Sequence, residues 1–73
     1  IYEYMISNLT PCVGKTLEQA DFPHHLIIAS IERDGIEFVP NSKEKLLSGD
    51  KVVVISKSKY HYNIEEYFKS ENM

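Results

Sequence analysis

Leu26-Ile27-Ile28-Ala29-Ser30-Ile31-Glu32-Arg33-Asp34-Gly35-Ile36-Glu37-Phe38 is the stretch whose reading decides the fold. Strict alternation along its first half puts Ile27, Ala29 and Ile31 on one face of a strand, with Leu26 and Ile28 on the other. A strand apolar on both faces at one end must be covered on both sides there. Asp34-Gly35, flanked by Ile31-Glu32-Arg33 and Ile36-Glu37-Phe38, is a tight-hairpin signal, because both central residues of such a turn take positive φ. The stretch therefore predicts a long strand, a two-residue turn and a return strand.

Toward the N-terminus, the strand is entered through the short link Asp21-Phe22-Pro23-His24-His25. Pro23 predicts that any preceding helix ends near Asp21. That helix opens on Thr16-Leu17-Glu18-Gln19, a capping box in which two side chains satisfy each other's free backbone amides. Asn8 to Gly14 reads as a loop around Pro11 and Gly14, and Ile1 to Ser7, rich in β-branched and aromatic residues, reads as a first strand. Toward the C-terminus, Val39 to Leu47 is polar and irregular after Pro40 and Asn41. Ser48-Gly49-Asp50 is a turn delivering the apolar strand Lys51 to Ser56. The end is helical: Asn63 is a cap with Glu66 three residues on, Ile64, Tyr67 and Phe68 share one face, and Tyr60 joins them if the helix starts a turn sooner. The order is strand, helix, β-hairpin, strand, helix: a small α+β domain with a sheet of about four strands.

Seventy-three residues make one domain. A domain this small buries about 60% of the surface its unfolded chain exposes, and one core of that size supplies about 3–5 kcal/mol. A staple is expected, and the single cysteine, Cys12, cannot form an internal disulfide. Two-sided apolar strands point to a homodimer instead, in which the same patch appears twice about a two-fold axis. The balance of 8 Lys+Arg against 11 Asp+Glu offers no basic stripe for a nucleic-acid backbone. The longest apolar runs, Leu26 to Ala29 and Val52 to Ile55, are too short to span a bilayer. With no charged leader and no initial Met, the chain reads as a fragment of a longer intracellular protein.

Little in the chain carries chemistry. His24-His25, with His61 and Cys12 elsewhere, lacks the paired spacing of a zinc site, since adjacent loop histidines point apart. A Cys12–histidine nucleophile would need a cleft and an orienting third group. Glu18, Glu32, Glu37, Glu44, Glu65 and Glu66 read as a solvated surface. Gly14-Lys15-Thr16 imitates the end of a phosphate loop, but the required glycine five residues earlier is Leu9. Here Gly14 makes a turn and Thr16 caps the helix. No Gly-x-Gly-x-x-Gly is present, so no Rossmann-type dinucleotide site is expected. The reading is not an enzyme.

Four stretches, in order and spacing, resemble one family. Pro11-Cys12-Val13-Gly14-Lys15-Thr16-Leu17 resembles its opening motif, and Ile27 to Gly35 its central strand ending in Arg and a tight turn. Phe38-Val39-Pro40 resembles the return strand closed by proline, and Leu46 to Ile55 the Gly-Asp turn that starts the last strand. The family is the TrkA-C domain, the C-terminal subdomain of the regulator of potassium conductance. The short link Asp21 to His25 and the aromatic Tyr67-Phe68 are similar to TrkA-type potassium-uptake proteins.

The resemblance implies that residues 1–73 are a single regulatory domain from the C-terminal end of a cytoplasmic protein. That protein would be peripheral to the inner face of the plasma membrane and would act on a membrane potassium-transporter subunit. It implies no cofactor in this fragment, any nicotinamide or adenine nucleotide site lying in a preceding Rossmann domain. Alternatives are the same domain on another transporter, an antiporter or a transcription factor, or a ligand-free structural dimerisation module. Some members bind cyclic di-AMP between two such domains. Carried over residue by residue, that ligand site is His24, His25, Leu26, Ile28 and Pro40. Apolar side chains there would pack against adenine. The histidines would donate hydrogen bonds, charge-assisted ones being favoured below about pH 6.5.

Overall fold

The computed structural model of the chain describes residues 1–57 and 64–69. β1 (Tyr2–Met5), α1 (Leu17–Ala20), β2 (Leu26–Arg33), β3 (Ile36–Phe38), β4 (Lys51–Ser56) and α2 (Ile64–Phe68) follow one another. The strands form one antiparallel sheet in the order β1-β4-β2-β3. This is the α+β arrangement that the sequence predicts. β4 is last in sequence but central in space, and its Val52 and Val54 are fully buried. The expected helix cap at Asn63, the extension to Tyr60 and His61 itself lie outside the described residues.

Local chemistry sets each boundary. Arg33 pairs with Ile36, and the two residues between them, Asp34 and Gly35, have φ of 54° and 81°. The Asp-Gly pair supplies the two positive φ angles that a two-residue hairpin requires. The hydroxyl of Thr16 accepts from the Gln19 backbone amide at 3.1 Å, and the Gln19 side-chain Oε1 accepts from the Thr16 backbone amide at 3.0 Å. This capping box opens α1, which stops at Asp21 in the left-handed conformation.

β2 departs from simple alternation. Ile28 pairs with Val54 but Ser30 pairs with Val53, so Ala29 is an extra residue, a β-bulge. The bulge shifts the pattern by one position. Leu26, Ile28 and then Ile31 all pack toward the core, whereas the sequence pattern had placed Ile31 with Ile27 and Ala29. Ile27 and Ile55, a cross-strand pair, lie on the opposite face and remain more than a third exposed. On that face Lys51 pairs with Glu32 and the Ser30 hydroxyl donates to Glu37.

The core lies between the sheet and the layer of loops and helices on one side of it. Ile6, Cys12, Ile31, Leu46, Val52, Val54, Ile64 and Phe68 are buried there. An aromatic column docks α2: Tyr4 stacks on Phe68 at 4.9 Å, Phe68 on Phe22 at 5.2 Å, and Phe22 meets Tyr67 edge-on at 5.7 Å. Such pairs add about 0.5–1.5 kcal/mol each beyond their buried area. Ile64 and Phe68 thus face inward and Tyr67 is half-buried, as the helical spacing predicts.

Candidate functional site

The backbone of Lys15 to Glu18 is laced to the segment after the hairpin. Gly14 and Leu17 donate to the carbonyls of Leu46 and Glu44, Leu46 donates to Lys15, and the Glu18 amide donates to the Ser42 carbonyl at 3.0 Å. Residues Thr16 and Lys45 thereby form an isolated antiparallel bridge. These bonds hold α1 beside the loop and over the entry to β2. His25 contributes from the other side, its carbonyl accepting from the Lys57 amide at 2.7 Å.

Between α1, the link and the start of β2 lies an open depression of about 500 Å³. Its floor is Leu26 and Ile28, its apolar wall Leu17 and Phe22, and its polar rim Glu18, Asp21, His24 and Ser42. Three of the five predicted site residues, His24, Leu26 and Ile28, therefore come together. His25 and Pro40 do not line this depression: His25 is half-buried beside its ladder bond, and Pro40 sits two residues before Ser42. The sequence reading missed Leu17, Glu18, Asp21, Phe22 and Ser42. No sequence signal set the acids apart: Glu18 lies on α1, Asp21 is the left-handed cap that ends it, and both are exposed.

Among the described residues, no Lys or Arg lines this depression. Lys15 lines a smaller depression of about 310 Å³ on the other side of Phe22, with Cys12, Glu66 and Tyr67. Burial pushes the Cys12 thiol above its usual value, so it packs as a core hydrophobe rather than a thiolate. Among the described residues no cluster of three His, Cys, Asp or Glu has metal-holding geometry. Among them, too, no helix is long and apolar enough to cross a membrane.

Away from the depression, Arg33 closes the far end of β2. Its Nε and Nη2 donate to the two carboxylate oxygens of Asp50, both at 2.8 Å. Nη1 donates to Glu44 at 3.1 Å and Nη2 to the Lys45 carbonyl at 2.9 Å, with the guanidinium 5.2 Å above the Phe38 ring. Asp50 is fully buried and also accepts from the Leu47 amide. Burial alone would raise its carboxyl, but the Arg33 hydrogen bonds and the Leu47 amide outweigh that and hold it below its ordinary range. The same Asp50 hydrogen bonds raise the Arg33 guanidinium above its usual value. Glu44, read from sequence as a solvated surface acid, is part of this clamp.

A family model described as the TrkA-C domain matches residues 1–69. The chain belongs to the TrkA-C domain family. Over 69 residues this TrkA-C domain is 32% identical to the Trk system potassium uptake protein TrkA homolog 1 of Methanosarcina mazei. That match covers 94% of the chain but spans only 15% of the relative's length. The fold is shared with the RCK_C domain dimer of S. agalactiae BusR in complex with c-di-AMP, at a TM-score of 0.74 and 23% identity over 92% of each chain. S. agalactiae BusR in complex with its busAB-promotor DNA gives the same TM-score and identity, with 92% of this chain matched to 34% of that one.

Proposed function

We propose that this TrkA-C domain is the regulatory, ligand-binding and dimerisation part of a cytoplasmic subunit that controls potassium uptake. The subunit lies at the inner face of the plasma membrane and acts through a membrane transporter. The domain itself catalyses nothing. The observation that carries the reading is the depression at the entry to β2, where His24, Leu26 and Ile28 converge in a fold shared with a c-di-AMP-bound dimer. The ligand is cyclic di-AMP, a two-fold molecule suited to a groove between two copies. Leu26 and Ile28 meet a base, and His24 meets its polar edge.

Geometry constrains the dimer. Leu26 and Ile28 face the core side of the sheet, whereas Ile27 and Ile55 face the other side. A groove made from two such depressions therefore pairs the copies through the α1 and Ser42 side. The Ile27–Ile55 face stays available for a separate contact.

The test is calorimetric titration of cyclic di-AMP into the wild type and into His24→Ala/His25→Ala at pH 6 and pH 8, with light scattering on the same samples. Binding with a stoichiometry of one ligand per two chains is expected, weaker in the double variant. Tight binding indifferent to both substitutions removes the histidines from the site, and no binding at either pH removes the ligand.

A second reading has one observation in its favour. The likeness to promoter-bound BusR suits the same domain attached to a DNA-binding regulator. DNA contact is not proposed for this domain, whose formal net charge is −3. The chain upstream of Ile1 decides between the two parents: a dinucleotide-binding fingerprint favours the transport subunit and a helix-turn-helix the repressor.

A further inference from the structure

We infer that Tyr67 and Phe68 of α2, which do not line the open depression, are positioning residues for it and act through Phe22. This rests on the depression being the ligand site, as proposed above. Phe22 lines both depressions, the open one with Leu17, Leu26 and Ile28 and the smaller one with Cys12 and Tyr67. Its backbone is fixed from both sides. Asp21 before it is the left-handed cap of α1, whose amide donates to the Leu17 carbonyl at 3.3 Å, and the Pro23 carbonyl after it accepts from the Leu26 amide at 2.9 Å. The half-buried ring is gripped by α2: it stacks on Phe68 at 5.2 Å and meets Tyr67 edge-on at 5.7 Å.

A side chain on a fixed backbone still has a choice of rotamers, and its neighbours decide it. Stacked and edge-on contacts favour one ring orientation over the others. With α2 docked, Phe22 is therefore presented as a ready-made wall. Without those contacts the ring is released, and a ligand has to order it on binding, at a loss of affinity. The coupling is reciprocal: the factor that the α2 rings contribute to ligand affinity is the factor that bound ligand contributes to the docking of α2. Cys12 reports that docking. It is the single cysteine of the chain, it is 4% exposed, and it shares the core with Phe68 and the smaller depression with Tyr67. A thiol reagent reaches it when α2 lifts.

The experiment titrates cyclic di-AMP calorimetrically into the wild type, Tyr67→Phe and Tyr67→Ala, and times Cys12 labelling by a chromogenic disulfide with and without saturating ligand. Tyr67→Phe keeps the ring and Tyr67→Ala removes it. Melting temperatures verify folding; where Tyr67→Ala does not fold, Tyr67→Leu, which keeps apolar volume without a ring, takes its place. Expected are wild-type affinity in Tyr67→Phe, binding about fivefold weaker once the ring is gone, and wild-type labelling slowed about fivefold by ligand. Equal affinity with and without the ring, or a wild-type labelling rate indifferent to bound ligand, overturns the inference and leaves the ligand site standing. If cyclic di-AMP binds none of the proteins, the ligand falls and the Leu17 and Ile28 methyl resonances decide the coupling. A shift on removing the ring that Tyr67→Phe does not show supports it, and unchanged resonances overturn it.

Discussion

The two ends of β2 are built on opposite principles. At the Arg33 end one guanidinium serves two carboxylates and a carbonyl, and the buried acid it holds also caps a turn. At the Leu26 end, Leu26 and Ile28 line an open depression with Glu18 and Asp21, and no Lys or Arg among the described residues lines it. The bulge at Ala29 separates the two halves of the strand. One end spends its polar groups on holding the sheet in register; the other leaves them turned toward whatever enters. With the proposed ligand site at the Leu26 end, stability and recognition are divided along a single strand.

Substitutions break that division in a definite order. Arg33→Ala has the largest effect, because it strands the buried Asp50 with only the Leu47 amide. Removing one partner of a buried pair costs about 3–5 kcal/mol, comparable to all that a single core of this size supplies, so urea denaturation should find the variant mostly unfolded at room temperature. Acid acts on the same group. The Asp50 carboxyl is held below its ordinary range, so its contribution is complete above the unfolded carboxylate range near about pH 4. It is lost as pH falls through the lower folded value. Asp50→Asn is expected to be less stable near neutral pH and to lose less on acidification, as followed by circular dichroism.

Gly35→Ala comes next, at about 1–2 kcal/mol, since φ is +81° and no neighbouring atom lies within 4 Å of an added Cβ; the cost is backbone strain alone. Thr16→Ala removes the cap of α1 at about 1 kcal/mol. It also loosens the wall of the depression, so its affinity for cyclic di-AMP should fall more than its stability does. His24→Ala sharpens the contrast most: an exposed loop change of this kind stays within about 0.5 kcal/mol of wild type in thermal unfolding. An Arg33 variant as stable as wild type, or a His24 variant that melts early, would erase the distinction between the two ends.

The frame of the fold is legible because it rests on local chemistry. Asp34-Gly35 dictates its own turn, Thr16 and Gln19 cap each other, and the valines of β4 announce a covered strand. What alternation could not reveal is the bulge at Ala29, because an extra residue leaves the apolar pattern intact while moving Ile31 to the other face. The Arg33–Asp50 pair is equally hidden: the residues are seventeen apart in sequence and meet only once β2 and β4 are neighbours. At the depression, His24 of the link and Leu26 and Ile28 of β2 stood out through a family likeness. Glu18 and Asp21 did not, because a surface acid and a rim acid look alike until the helix has been laid against Ser42.

The strand order carries a further consequence, for the way the chain folds. β4 lies inside the sheet and pairs Tyr2, near the start of the described chain, with Val54, far along it. The β2–β3 hairpin closes a loop of two residues and needs nothing else, so it forms early, on the scale of about 1–10 μs. β1 has no partner until β4 arrives, and closing that long loop is the slow event on the path. During synthesis, residues 1 to 50 must therefore wait with the apolar side of β1 uncovered. They become a sheet only when Lys51 to Ser56 slide in as the keystone.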